Sequence, residues 1–157
     1  LVQEGIRISK LHFSSAMKVH PTPEVLARLE AYAEDIYFHQ VIARTEDGSL
    51  RRYRDLPDAL RFASEGDTAA DREWRIHFHV PLHSAPTERF DTTADQLQKA
   101  IQFLGSTPAV CSHVEMETYT WEVLPDEMKQ RDVVDQLVGE YEWTLSSLAE
   151  QGIAPKK

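Results

Sequence analysis

The stretch WRIHFHVPL (Trp74–Leu82) alternates apolar and polar residues, and this alternation predicts a β-strand with one apolar and one polar face. Successive side chains of a strand point to opposite faces, so Ile76 and Phe78 share one face of the predicted strand. His77 and His79 share the other face. The wet face of an ordinary soluble sheet carries mostly lysine, threonine and serine. Histidines in their place mark this face as a candidate functional surface.

Three further stretches are predicted to be strands with the same two-faced pattern: IRISKLHFS (Ile6–Ser14), IYFHQVIA (Ile36–Ala43) and AVCSHVEMETYTW (Ala109–Trp121). Helix-forming segments separate the four strands along the chain. A strand–helix alternation repeated four times predicts an α/β fold with parallel strands. Parallel sheets are normally covered on both faces, so the polar face is expected to be enclosed. We therefore predict four parallel strand–helix units in a single domain spanning residues 1–157.

Residues typical of helix starts precede each predicted helix. Thr22 stands before Pro23, a combination that suits an N-cap followed by the first helical position. The other helices are predicted to begin after Asp55, after a capping box of Thr93 and Gln96, and at Pro125. The pair Asp47-Gly48 is a hairpin-turn signal, which predicts a small two-stranded excursion after the second strand.

The last predicted helix is the longest and ends at Gly152. Its apolar residues recur at helical spacing, which predicts that one face of this helix packs into the core. The apolar stripe comprises Val134, Leu137, Val138, Tyr141, Leu145 and Leu148.

Composition and charge limit the classes of function. The chain has 157 residues, 41% hydrophobic and 27% charged, as in an ordinary globular domain. With 17 basic and 26 acidic residues, its formal net charge is -9. An acidic surface repels phosphate backbones and anionic lipids, so binding to nucleic acid or to a charged membrane is disfavoured.

Three features of the sequence predict a compartment. Cys111 is the only cysteine, so no internal disulfide can form and a reducing environment is expected. No apolar run approaches the roughly twenty residues that cross a bilayer. The first ten residues, LVQEGIRISK, lack the layout of a signal peptide. The expected protein is soluble and cytoplasmic.

Histidine and glutamate concentrate toward the C-terminal ends of the predicted strands. Glu115 and Glu117 share the polar face of the fourth strand, with Glu117 nearer its end. In a β/α barrel the C-terminal strand ends form the active site. Imidazoles and carboxylates that face inward from several strands suit a divalent metal such as Zn, Mn or Mg. Of the H-x-H pair in the third strand, His79 is favoured as a ligand because His77 lies deeper.

Each candidate also has a structural interpretation. At His12 and His39, a histidine bonded to a backbone carbonyl competes with the metal ligand as an explanation. Lys10 could pair with Glu115, and Glu115 could be a buried ion-pair companion of Glu117. These alternatives remain open at the level of the sequence.

Several residues on the same faces are candidates for binding a substrate. They are Lys10, His39, His77, Tyr119 and Trp121. Tyr119 and Trp121 lie near a strand end, where two aromatic rings could form a wall for a sugar ring. Packing in the core is the competing interpretation for Trp121.

Four strings of the sequence resemble a known family: KLHFSSAM (Lys10–Met17), YFHQV (Tyr37–Val41), EWRIHFHVPLH (Glu73–His83) and HVEMETYTWEVLP (His113–Pro125). They are similar to the C-terminal half of the EboE-type metabolite traffic proteins, in the xylose-isomerase-like, sugar phosphate isomerase/epimerase TIM-barrel superfamily. The similarity covers nearly the whole chain, and the last two strings are the specific ones. It implies that the chain is the C-terminal half of a (β/α)8 TIM barrel.

The resemblance also implies a chemistry. Enzymes of the superfamily hold a metal with Glu, Asp, His and Glu from separate strands, and glutamates move a proton between adjacent sugar carbons. A glutamate on the last strand maps onto Glu117, and the single histidine of KLHFS maps onto His12. With His79, these residues are the predicted metal ligands. The ligands of the earlier strands would lie upstream of Leu1.

Two functions of different class follow. The first is a metal-dependent isomerase or epimerase acting on a small polyol or sugar-like metabolite, in which Glu117 or Glu115 binds the metal or exchanges the proton. The alternative is a non-catalytic protein that binds and passes on a metabolite. Phosphodiester hydrolysis is disfavoured by the acidic charge. The open edges of a four-stranded half-barrel further predict a partner, either the missing N-terminal half or a second copy.

Overall fold

The structure is a computed structural model that describes residues 1–66, 70–87, 90–107, 110–117 and 132–154. Its largest element is a five-stranded antiparallel sheet in the order β4-β3-β5-β2-β6. The strands of this sheet are β2 (Ser15–Val19), β3 (Val41–Thr45), β4 (Leu50–Tyr53), β5 (Asp71–Val80) and β6 (Asp91–Thr92). A separate two-stranded parallel sheet pairs β1 (Leu11–Phe13) with β7 (Val114–Met116).

Strand β5 lies at the centre of the large sheet because its alternating pattern supplies one fully apolar face. Trp74, Ile76 and Phe78 are at most 1% exposed. β2 alternates in the same way, with Met17 and Val19 buried, and it pairs antiparallel with β5. Two neighbouring strands with matching apolar faces bury them together against the helices.

In the described residues, the α-helices that cover these sheets are α1 (Pro23–Leu29), α2 (Leu56–Ser64), α3 (Ala94–Ser106) and α4 (Val133–Glu150). Short 3₁₀ helices occupy Val2–Glu4 and Glu30–Tyr32. The predicted N-caps Thr22 and Asp55 are confirmed, since their side chains accept hydrogen bonds from Val25 N and Leu56 N. No described helix is long and apolar enough to pass through a lipid bilayer.

Two predictions about turns and caps have different outcomes. The hairpin at Asp47-Gly48 is confirmed, because β3 and β4 pair antiparallel around it and Gly48 has a φ of 85°. The capping box at Thr93 is wrong. The Thr93 hydroxyl accepts a hydrogen bond from Ala16 N (2.9 Å) and so ties α3 to β2 instead of capping its own helix.

The predicted half-barrel of four parallel strand–helix units is wrong. β5 pairs antiparallel with both β2 and β3, so the large sheet has no parallel neighbours. β2 follows β1 after the single residue Ser14, where the prediction placed a loop and a helix after the first strand. In addition, residues 6–10 and 36–40 form no strand. A parallel sheet needs a crossover of a dozen or more residues between paired strands, and this chain uses short antiparallel connections for most of its strands.

The apolar stripe of α4, which was predicted to pack into the core, is largely exposed. Val134, Val138, Tyr141 and Leu145 are 45% to 61% exposed. The helix instead turns a polar face inward, and its buried residues are Gln136, Glu140 and Thr144. Thr144 Oγ1 donates to Met116 Sδ (3.2 Å), which places this face against β7. The predicted end of the helix is confirmed at Gly152, which has a φ of 72°, whereas its predicted start at Pro125 lies outside the described residues.

The buried apolar residues form two clusters. The larger lies between the five-stranded sheet and helices α1 and α2, around Met17, Trp74 and Phe78. The smaller lies between the β1–β7 pair and α3, around Phe13 and Ile101. Because the C-terminal end of β5 reaches the smaller sheet, the polar side chains of both sheets meet at this boundary.

Candidate functional site

The parallel pairing of β1 with β7 places imidazoles and carboxylates side by side. In this register His12 lies opposite Glu115, and the next residues on, Phe13 and Met116, face each other in the ladder. Glu117 continues the pairing, because its backbone N–H donates to Phe13 O (3.0 Å). The set of Lys10, His12, His77, His79, His113, Glu115 and Glu117 is called the His/Glu cluster below.

Glu115 is the centre of the exposed half of the cluster. Its carboxylate lies 2.9 Å from Lys10 Nζ, 3.2 Å from His12 Nε2 and 3.0 Å from His113 Nε2. The hydrogen bonds from Lys10 and His113, together with their charges, lower the pKa of Glu115 to about 2. The predicted Lys10–Glu115 pair is therefore confirmed, but the pair is half-exposed and not buried.

The ion pair with Lys10 predicts a measurable change in the titration of Glu115. In the Lys10→Met variant the carboxyl loses the hydrogen bond that contributes most to its lowered pKa, so we expect the pKa of Glu115 to rise from about 2 toward its ordinary value of 4.5. Carbon-detected NMR of the side-chain carboxyl would follow this titration. Lys99→Met is the matched control, since Lys99 pairs with Asp95 instead. An unchanged Glu115 titration in Lys10→Met would show that the pair does not form in solution.

Glu117 occupies a different environment from Glu115. Its carboxylate lies 3.6 Å from His12 Nδ1, and its side chain is about one-third exposed. This contact is longer than a hydrogen bond, so both groups can hydrogen-bond to a molecule that lies beside the pair. Of the two glutamates, Glu117 is therefore the one whose carboxylate is available for chemistry.

His77 and His79 lie on the C-terminal part of β5 with their Nε2 atoms 2.9 Å apart. His79 is buried, and desolvation followed by the nearby charge of His77 lowers its pKa, while Glu117 opposes this shift. Burial therefore favours the neutral form of the His79 imidazole, in which one ring nitrogen donates and the other accepts. A contact between two imidazole nitrogens at this distance requires that one donates and the other accepts.

His39 has a structural role. It is buried, and its ring is fixed between Glu34 Oε1 (3.0 Å from Nε2) and the backbone carbonyl of His77 (3.1 Å from Nδ1). It also contacts the ring of Phe78, with centroids 4.8 Å apart. Of the two interpretations left open by the sequence, the histidine bonded to a backbone carbonyl is the one observed. The substrate-binding role predicted for His39 therefore has no exposed atom to support it.

Sequence reasoning did not assign a site role to His113 or Glu34. His113 stands two residues before Glu115 on the same face, so the spacing was a usable signal. Glu34 lies in the segment after α1 and meets His39 only because the chain turns there, which no local pattern indicates. The predicted substrate-binding residues Tyr119 and Trp121 lie outside the described residues.

The predicted metal ligands are not grouped as a metal site in the part of the chain that the structure describes. Among the residues that the structure describes, no group of three or more His, Cys, Asp or Glu side chains converges with the geometry of a metal site. Two of the predicted ligands, His12 and Glu117, contact each other, while His79 Nε2 contacts His77. The divalent metal therefore stays a prediction.

Comparisons of this chain with known protein families, with curated proteins and with solved structures gave no match. The resemblance to the EboE-type proteins consequently rests on the four sequence strings alone and stays a prediction.

Proposed function

We propose that this chain binds a small polyol or sugar-like metabolite at the His/Glu cluster, as a non-catalytic binding or traffic protein. The observation that carries the proposal is the register of the β1–β7 pair, which sets His12 beside Glu115 with Glu117 next in line. A sugar hydroxyl is both donor and acceptor. A half-exposed row of imidazole, ammonium and carboxylate groups offers both kinds of partner at hydrogen-bond spacing.

The state of Glu115 favours binding over catalysis. A carboxylate with a pKa of about 2 is a weak base, and its oxygens already accept from Lys10 and His113. General-base catalysis is most efficient when the pKa lies near the operating pH. Glu115 is therefore suited to hold the ends of Lys10, His12 and His113 in place, so that these donors are presented as a fixed surface.

A specific contact supports a second candidate, an isomerase or epimerase. The His12–Glu117 pair places an acid and a base 3.6 Å apart, with both side chains accessible. Such a pair could remove a proton from one sugar carbon and return a proton to the next, the step that the sequence resemblance implies. In that case Glu117 would be the base and His12 would donate to the substrate oxygen.

Binding can be tested with D-xylose and myo-inositol as probes. We expect the imidazole C–H signals of His12 and His113 to shift on titration with at least one of the two sugars. Glu117→Gln should weaken that binding about tenfold, because a charge-assisted acceptor becomes a neutral amide. Glu46→Gln, an exposed glutamate in the β3–β4 hairpin, is the matched control and should leave the titration unchanged.

Failure of both sugars to shift any imidazole signal would contradict the proposal. Proton exchange then separates the two candidates. In deuterated water a binding protein leaves the C–H bonds of a bound sugar intact, whereas an isomerase or epimerase introduces deuterium at a carbon beside the carbonyl. Deuterium incorporation that is lost in Glu117→Gln but kept in Glu46→Gln would replace the first candidate by the second. Metal content would be measured on the same protein preparations.

A further inference from the structure

A cleft opens at the opposite end of the large sheet from the His/Glu cluster. It lies between α1, the C-terminal end of β2, the N-terminal end of β5 and residues Thr87, Phe90 and Asp91, and it has a volume of about 490 Å³. This volume is in the range of small-molecule sites in proteins. Arg72 on β5 lines the cleft. His79 lies seven residues further along the same strand, and the rise per residue of a β-strand makes this a distance of roughly 20 Å. The cleft is therefore separate from the cluster.

A second cavity of about 230 Å³ adjoins the cleft. The two cavities share Val19, Val25, Arg28 and Phe90 as lining residues. The rest of the smaller cavity is predominantly apolar, with Met17, Leu29 and Tyr32 from the main core cluster among its walls. The two cavities thus lie side by side across these shared residues, as a space with a polar part and an apolar part.

The carboxylates that line the polar part are all neutralised by neighbouring cations. Four ion pairs involve these three carboxylates: Asp91 with Lys18 (2.8 Å), Glu24 with Arg28 (2.7 Å), and Glu73 with both Arg44 (3.1 Å) and Arg75 (3.0 Å). The hydrogen bond and the charge of Asp91 raise the pKa of Lys18 against the effect of desolvation, so Lys18 stays charged in this pair. Each described carboxylate of the lining therefore has a cationic partner.

Arg72 differs from the other cations of the cleft. Its guanidinium has no acidic partner in the part of the chain that the structure describes. Its backbone is held, because the His20 ring donates from Nδ1 to the Arg72 carbonyl (2.7 Å). Among the described lining residues, three Lys or Arg side chains accompany three Asp or Glu side chains. Because Glu73 also pairs with Arg44 and Arg75 from outside the lining, Arg72 is left as a local positive charge in a protein that is acidic overall.

We propose that this space is a binding site for an amphipathic monoanion, a molecule with a carboxylate or phosphate-like head and a short apolar chain. The head pairs with Arg72, whose planar guanidinium matches two oxygen atoms at once. The chain passes Phe90 and Val25 into the apolar cavity, where it is removed from water. This inference does not rest on the function proposed for the His/Glu cluster, since it uses none of the same residues.

Octanoate is a suitable probe, and isothermal titration calorimetry is the measurement. We expect one octanoate to bind per chain. Affinity should rise by about fourfold with each methylene from butyrate to octanoate, equivalent to ~0.8 kcal/mol per buried CH₂. Acetate and octanol, which carry only the head or only the chain, should bind at least tenfold more weakly than octanoate.

Arg72→Gln is the decisive variant, because Arg72 is exposed and its loss removes no core contact. It should weaken octanoate about tenfold or more and leave octanol unaffected. Arg52→Gln, which removes an exposed arginine from β4 with the same change in net charge, is the control and should bind like the parent chain. Equal binding of octanoate by both variants would overturn the proposal. So would an affinity that does not depend on chain length, or octanol binding as tightly as octanoate.

Discussion

Replacing Trp74 with alanine is expected to lower the free energy of unfolding by about 4 kcal/mol, in the range for a large aromatic side chain removed from a core. Trp74 is fully buried at the centre of β5, and its ring lies 6.2 Å from that of Tyr53. Its indole N–H donates to Asp71 Oδ2 (2.8 Å), a carboxylate that is itself buried. The substitution therefore leaves a cavity and also removes the donor of a buried carboxylate.

Trp74→Phe separates the two contributions. Phenylalanine keeps most of the buried apolar area but cannot donate to Asp71, so a loss of about 1–3 kcal/mol is expected from the unsatisfied carboxylate and the smaller ring. Urea denaturation followed by circular dichroism would measure both variants without using tryptophan as the reporter. If the free energy of unfolding of Trp74→Ala were within about 1 kcal/mol of that of the parent chain, β5 would not be the centre of the sheet.

Stability is expected to fall as the pH rises from about 5 to 8, and Glu140 is the cause. This residue is fully buried on the inner face of α4. Gln136 Nε2 reaches its Oε1 at 3.5 Å, and its Oε2 has no hydrogen-bond partner in the described part of the chain. Desolvation raises the pKa of Glu140 from 4.5 to about 7, against the weaker effect of Gln136.

The sign of this effect follows from the raised pKa. The folded state holds the proton of Glu140 more tightly than the unfolded state does. Its contribution to the free energy of unfolding is therefore fully present below pH 4.5 and is lost as the pH rises through about 7. A shift of this size corresponds to about 3 kcal/mol above pH 8. Glu140→Gln removes the charge but keeps a polar group in the same place. We expect it to stabilise the protein by about 2 kcal/mol at pH 8 and to change little at pH 5.

Glu142→Gln is the matched control, since Glu142 lies on the same helix and is exposed. It should leave the pH dependence of the unfolding free energy unchanged. Urea denaturation of the three proteins at pH 5 and pH 8 would provide the comparison. A Glu140→Gln variant that is less stable than the parent chain at pH 8 would mean that the Glu140 carboxylate has a partner in solution.

The error in the predicted fold came from a pattern that the sequence shows clearly. Strands of a parallel sheet are buried on both faces and have nearly continuous apolar sequences, whereas antiparallel strands with one wet face alternate. Trp74, Ile76 and Phe78 alternate with Arg75 and His77, which is the antiparallel pattern. SAMKV in β2 alternates as well, with Met17 and Val19 buried. A parallel sheet would have required the polar face to be covered, whereas an antiparallel sheet can leave that face exposed to water.

The prediction that the candidate residues lie close together depended much less on the topology of the sheets. Lys10, His12, Glu115 and Glu117 come together because β1 and β7 are a parallel pair, the one part of the sheet structure that matches the predicted strand direction. Their period-two spacing puts them on one face in any strand, so their proximity required only that the two strands be neighbours. His79 joins them because β5 ends at the boundary between the two sheets.

The sequence by itself determined the local elements of this protein, from the N-caps Thr22 and Asp55 to the Asp47-Gly48 turn, because these depend on neighbouring residues alone. It also determined which side chains share a face of β5 and of β7. Only the tertiary structure decided which strands pair and in which direction, and whether α4 buries its apolar stripe or Glu140. Those choices depend on the summed packing of residues far apart in the chain, which no single stretch such as WRIHFHVPL contains.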